Sequence, residues 1–261
     1  MLNLSDNKPL KVLITRPEQK GLSLSTHLNK LGIHNQCQPL FDFQPFATPL
    51  QTKATLASCD IVIFVSVAAV NFAHQSWPIT QWQFTTAIAV GKATAEALSN
   101  IGITEVISPA NENSEGLLAL SLLNKDLRET NIVIVRGNSG RELLSTELKK
   151  RNAQVNYLES YKRQWRTLPK TLVKHWQAQQ INCIVVTSNE LLQRLADTLL
   201  LLNDGNTAEN VHYWKTQCVW CVASERIATL ATSLGIKYIQ VSDGANDEAI
   251  TSALQHIWKI K

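Results

Sequence analysis

Hydroxyls, glycines and arginines recur in this chain just after short apolar runs. They stand at Thr15-Arg16-Pro17, Ser66, Gly91-Lys92-Ala93-Thr94, Arg136-Gly137-Asn138-Ser139-Gly140-Arg141, Thr187-Ser188 and Ala223-Ser224-Glu225-Arg226, with few carboxylates among them. In an open parallel sheet, ligands bind beyond the carboxyl ends of the strands, where helix N-termini turn their free N–H groups outward. Such a set donates hydrogen bonds, by side chain and by backbone, to a multiply anionic ligand. Each residue also has a plainer use. A hydroxyl at a strand-to-helix turn often only caps the helix. Gly137 and Gly140 permit a tight turn, and Arg16 and Arg136 can form surface ion pairs. Recurrence at several strand ends is what carries the functional reading.

Other chemistries find less support. The loop from Arg136 to Arg141 lacks the Lys-Ser/Thr ending of a phosphate-binding loop and the three-glycine spacing of a dinucleotide fingerprint. No Ser-His-Asp order, paired catalytic carboxylates or metal cluster emerges, so the expectation is a site without metal or cofactor. Cys218 and Cys221 make a C-x-x-C inside the apolar run Thr216 to Ala223, with no second ligand pair nearby. They read as core thiols. A site with donors but no evident base suits a substrate that carries most of its own reactivity.

These residues need strands and helices to hold them. Strands are predicted at Lys11–Thr15, Ile61–Val65, Ala87–Val90, Ile132–Val135, Ile181–Val186, Val219–Ala223 and Tyr238–Val241, alternating with helical patterns as in a helix-covered parallel sheet. Leu24, Leu28 and Leu31 mark one helix face, stopped by Gly32. Ile227, Leu230, Ala231 and Leu234 mark another before Gly235, and Asn152 is a stop for a third after Leu144 and Leu148.

The chain also repeats itself. Arg16 to Leu28 and Arg136 to Leu148 share a layout of Arg, polar turn and Leu-Ser-Thr. Ile61 to Ser66 is echoed by Cys183 to Ser188, and Gly102-Ile103 by Gly235-Ile236. Two α/β units are therefore expected, with the working site in a cleft between them. Pro39 to Pro49 and Leu158 to Leu168 fit neither unit and read as connectors. Two connectors suggest a chain that goes out and back; a tandem split near Asn124 is the other possibility.

With 261 residues, 44% of them hydrophobic, the chain can bury two ordinary cores. Its formal charge of +4 is mild and no dense basic stripe is present, which disfavours nucleic acid as a partner. The lead-in from Met1 to Pro9 has no apolar core, and no run is long enough to span a membrane. Five cysteines make no even disulfide framework and suit a reducing, cytoplasmic compartment.

Five stretches carry a resemblance to the uroporphyrinogen-III synthases. They are Leu13-Ile-Thr-Arg-Pro17, Ala89 to Leu98 around Gly91-Lys-Ala-Thr94, Ser114-Glu-Gly-Leu-Leu118, Val135 to Leu144 around Arg136-Gly-Asn-Ser-Gly-Arg141, and Tyr157-Leu-Glu-Ser-Tyr-Lys-Arg163. Thr187-Ser188 and Ser224-Glu-Arg226 continue it, so the likeness runs nearly the whole chain in order. It departs from the family at Ala223-Ser-Glu-Arg226, where many members have Gly-Pro-Thr-Thr, and at Val67-Ala68.

The resemblance implies two flavodoxin-like parallel-sheet domains joined by a two-stranded connector, with one domain discontinuous. The boundaries would be 1–38 plus 168–261 for the discontinuous domain, 48–157 for the inserted one, and 39–47 and 158–167 for the connectors. It implies cyclisation of hydroxymethylbilane, a linear tetrapyrrole bearing acetate and propionate groups, to uroporphyrinogen III with loss of water. The terminal ring is inverted on closure, usually through a spiro intermediate. The free substrate closes to the non-inverted isomer, so the enzyme's task is positioning and exclusion of water.

By the same resemblance Tyr161 is the catalytic candidate, as a donor to the departing hydroxyl or as a packing aromatic of the connector. Thr94 is a hydrogen-bond donor to substrate. Arg16, Ser66, Lys92, Arg136, Gly137, Asn138, Ser188 and Ser224 would hold the carboxylates. The expected protein is a monomer that meets hydroxymethylbilane synthase transiently. A hinged binding protein and a nucleotide-dependent transferase are the rival readings.

Overall fold

The computed structural model describes residues 9–46, 56, 59–138, 142–169, 171–202 and 206–259. Contacts divide the chain into two units, Met1–Asp42 with Trp165–Lys261, and Phe43–Gln164. The chain therefore leaves the first unit once and returns to it.

The first unit has strands β1 (Lys11–Ile14), β2 (His34–Cys37), β9 (Cys183–Val186), β10 (Val219–Val222) and β11 (Tyr238–Val241). They lie in the order β11-β10-β9-β1-β2, all parallel. The helices are α1 (Glu18–Lys30), α6 (Leu172–Ala178), α7 (Asn189–Leu199), α8 (Ala208–Thr216), α9 (Glu225–Ser233) and α10 (Asp247–Lys259). Runs such as Cys-Ile-Val-Val in β9 are buried at every position because helices cover both faces. On one face Leu24 and Leu28 of α1 pack with Ile250, Leu254 and Ile257 of α10 over Val12, Ile14 and Val185. Full burial of each such side chain contributes roughly 1.5–3 kcal/mol.

Leu31 was expected on that face and is not: it lies beyond the last turn of α1 and is 37% exposed. Gly32 does supply the left-handed stop, at φ 69°, as Gly235 does at φ 83° and Asn152 at φ 69°. Cys218 and Cys221 are buried free thiols, with Thr216 in α8 rather than in the strand. Burial pushes the Cys221 thiol up to about 12.

The second unit has β3 (Phe41–Pro45), β4 (Ile61–Phe64), β5 (Thr86–Ala89), β6 (Val106–Ile107), β7 (Asn131–Gly137) and β8 (Gln154–Trp165). Its helices are α2 (Val67–Ser76), α3 (Lys92–Ser99), α4 (Ser114–Ala119) and α5 (Leu143–Lys150). The sheet order is β3-β8-β7-β4-β5-β6, with β4 to β8 mutually parallel. Val62, Phe64, Val133, Val135 and Leu158 point to the face covered by α2 and α3. Ile61, Ile63, Ile132 and Ile134 point to the face of α4 and α5.

The sequence repeats now have a geometric meaning. Reading β2-β1-β9-β10-β11 against β8-β7-β4-β5-β6 gives the same sheet, with the chain entering it at a different strand. The first unit follows the flavodoxin order, and the second is that order circularly permuted. Arg16 after β1 thus corresponds to Arg136 at the end of β7, Ser188 after β9 to Ser66 after β4, and Gly235 to Gly102.

Both crossings between units fall within β3 and β8, neighbours in the sheet. Phe46 N–H donates to Ser160 O and Arg166 N–H to Leu40 O, each at 2.9 Å, so the pairing runs antiparallel. Arg166 adds a two-pronged bond to Asp42, at 2.8 and 2.6 Å. The segment expected as a connector strand from 158 is the second half of a longer strand, β8. Its first half is paired with β7 from Gln154 onward.

Candidate functional site

A doubly wound sheet binds its ligand where the strand order reverses. In the second unit that point lies between β4 and β7. The parallel registers pair Phe64 with Val135 and with Ala89, so Ser66, Gly137 and Gly91 come level beyond the strand ends.

Ser66 caps α2: its hydroxyl accepts from Ala69 N–H at 3.1 Å. The same oxygen lies 3.4 Å from the Tyr161 hydroxyl. Tyr161 stands edge-on to Phe43, centroids 4.8 Å apart, and tilted against Phe72 at 5.5 Å. Its ring covers Gly137 so closely that a Cβ there would lie 2.7 Å from Cε2 and Cζ. Asn138 N–H donates to Tyr161 O at 2.9 Å, and Asn138 Oδ1 accepts weakly from Arg163 N–H at 3.4 Å. Ser66, Gly137, Asn138 and Tyr161 are thus brought together.

Arg136 is buried on the opposite face of β7. Its guanidinium donates to Glu142 at 2.9 Å and to Gly137 O at 3.1 Å, and lies 4.5 Å from the centroid of the Tyr157 ring. The Tyr157 hydroxyl donates to the other Glu142 oxygen at 2.6 Å. That bond, then the Arg136 guanidinium, holds the Glu142 carboxyl below its usual range. Ser139, Gly140 and Arg141 lie outside the described residues.

One strand further along, α3 starts at Lys92 with glycine before it, so no side chain of its own caps it. Lys92 N–H instead donates to Glu112 Oε1 at 3.0 Å, and the Lys92 side chain is exposed. Thr94, in the first turn of α3, is 4% exposed.

The first unit repeats the pattern at its own switch point, between β1 and β9. Register pairs Val185 with Ile14 on one side and with Cys221 on the other, which sets Ser188 level with Ser224. Ser188 caps α7, accepting from Leu191 N–H at 3.2 Å, whereas the Ser224 hydroxyl makes no capping bond to α9. Arg16 is buried and ion-paired with Asp247, and donates to Ala245 O at 3.0 Å. Asp247 also accepts from the Ser23 hydroxyl at 2.5 Å. Burial disfavours its charge, but the Ser23 and Arg16 bonds and the Arg16 charge outweigh that and hold the carboxyl below its usual range.

Both arginines therefore already hold a carboxylate of the chain itself. Sequence reasoning did not find Asp247, 231 residues from Arg16, or Glu142, which no periodic pattern ties to Arg136. Phe43 and Phe72 were missed for a similar reason: nothing in their local pattern marks them as walls for Tyr161. Among the described residues no helix is long and apolar enough to cross a membrane.

The family described as uroporphyrinogen-III synthase HemD matches residues 23–252. The uroporphyrinogen-III synthase of Salmonella typhimurium is 34% identical over 266 residues, covering 94% of this chain and 100% of the relative. That of Escherichia coli K12 is 33% identical over 260 residues, at the same coverage. Among solved structures, a mutant uroporphyrinogen III synthase from the extreme thermophile Thermus thermophilus matches with a TM-score of 0.61 at 13% identity, over 97% of this chain and 100% of that one. The uroporphyrinogen-III synthetase of Helicobacter pylori 26695 matches at 0.58 and 12%, with the same coverage.

Proposed function

The chain belongs to the uroporphyrinogen-III synthase family, and on that premise we propose that Tyr161, over Gly137 and beside Ser66, acts directly on the ring that is turned. The family's reaction converts hydroxymethylbilane to uroporphyrinogen III. The C–O bond of the departing hydroxyl breaks and a C–C bond forms at the substituted carbon of the terminal ring. The C–C bond that already joined that carbon to the chain breaks and re-forms at the ring's unsubstituted carbon. The C–H proton of that carbon balances the hydroxyl as water, which is lyase chemistry.

Ring closure needs the terminal ring attacked at its substituted carbon, which the free substrate avoids. Holding that geometry is the main work. Ser66 accepts an N–H from the start of α2, which leaves its own O–H to donate to the Tyr161 oxygen. Tyr161 can then direct its proton outward, to the departing hydroxyl.

The substrate's carboxylates need donors that are not already engaged. The Lys92 ammonium and the Thr94 and Ser224 hydroxyls meet that need directly. Ser188 and Asn138 offer their remaining polar capacity, and Gly137 leaves room for the Tyr161 ring. Arg16 and Arg136, already neutralised, hold the loops and receive a substrate carboxylate only by exchange with Asp247 and Glu142. We further propose a monomer in a cytoplasmic, reducing compartment, which the five free thiols support. A substrate that closes unaided favours transient hand-over from hydroxymethylbilane synthase.

The observation that carries this reading is the approach of the Tyr161 hydroxyl to Ser66 at the switch point. Tyr161→Phe should lower kcat by about 10²-fold, the usual scale for a positioned proton donor. The thermal midpoint should hardly move, because the ring keeps its contacts with Phe43 and Phe72. Wild-type turnover would reduce Tyr161 to packing.

A further inference from the structure

Strand β8 follows β7 residue by residue from Gln154 opposite Asn131 to Glu159 opposite Arg136, and then Gly137 pairs with Tyr161. Ser160 is the extra residue, a β-bulge. Its consequence follows from the two-residue period of a strand, in which a slip of one turns a side chain to the other face. Leu158 faces α2, so strict alternation would send Ser160 to that face and Tyr161 to the other, away from Ser66. With the bulge, both face α2.

A bulge leaves ladder groups unpaired, and buried ones need new partners. Ser160 is fully buried, and its hydroxyl lies 3.3 Å from Arg136 O and 3.2 Å from Ala69 O, in the first turn of α2. One O–H, shared between two carbonyl acceptors, thus links the β7 carbonyl beside the bulge to the helix that Ser66 caps.

We infer that Ser160 is the positioning residue that aims Tyr161, an inference that rests on the reading of Tyr161 above. It touches no substrate; it fixes the register in which Tyr161 meets Gly137 and Ser66.

The test is a double-mutant cycle on the full-length enzyme with hydroxymethylbilane. Ser160→Ala should lower kcat about tenfold or more, leave KM within about twofold, and raise the share of the non-inverted isomer. In the Tyr161→Phe background the same substitution should change kcat less than about twofold. Ser160→Cys, nearly isosteric and a weak donor, should fall between Ala and Ser, and serves if the alanine variant does not fold. Wild-type kcat and isomer purity in Ser160→Ala would overturn the inference. So would an equal loss with and without the Tyr161 hydroxyl, the mark of a merely structural role. Wild-type turnover by Tyr161→Phe alone would instead remove its premise.

Discussion

Gly137→Ala should lower turnover by about two orders of magnitude, more than its effect on folding explains. The new Cβ would stand 2.7 Å from two ring atoms of Tyr161 and 3.2 Å from its hydroxyl oxygen. The ring cannot easily yield, because Phe43 and Phe72 stand against it. A shift of the order of 1 Å is therefore expected, and misplacement of that size costs roughly 10²-fold in rate. Overpacking should cost about 1–3 kcal/mol of stability. Steady-state kinetics beside urea unfolding separate the two. A variant with wild-type kcat would show that Tyr161 does not need its present position.

Arg16→Met should have the largest effect on stability, about 3 kcal/mol by urea unfolding. Removing one partner of a buried pair leaves the other charge without its counter-ion, at roughly 3–5 kcal/mol. Asp247 is 14% exposed, which sets the lower end of that range. Arg136→Met should cost less, since Glu142 is 64% exposed and water takes over the lost bond.

The pH dependence has a definite sign. The Asp247 carboxyl is held below its unfolded value, so the unfolded chain binds its proton first as pH falls. The contribution is whole above about pH 4, the unfolded carboxyl value, and is lost below it as pH falls through the folded value. Wild type should therefore lose more stability than Arg16→Met over that acid window. Parallel curves for the two proteins would show that the pair is not the source.

The seven apolar strands were legible because parallel strands covered on both faces are written as continuous Val and Ile runs. β2 was not, since His-Asn-Gln-Cys at a sheet edge carries no apolar signal. Nor was β6, only two residues long. The repeats pointed to two units, yet the circular permutation between them is a property of strand order that local pattern does not encode. The donors at the strand ends were legible by position. Which of them are engaged was not: Arg16 meets Asp247 across 231 residues of chain. The bulge at Ser160 was also hidden, because an extra residue in one strand shows only against its partner.

The role given to Tyr161 is tested most directly by the isomer composition of the product. Hydroxymethylbilane would be incubated with the wild-type protein, with Tyr161→Phe and with no protein, and the products oxidised and separated by chromatography. The wild type should give the inverted isomer almost alone, and the blank the non-inverted one. Tyr161→Phe should give a mixture, because unaided closure overtakes the slowed enzyme. Wild-type proportions from Tyr161→Phe, or a wild-type reaction no different from the blank, would contradict it.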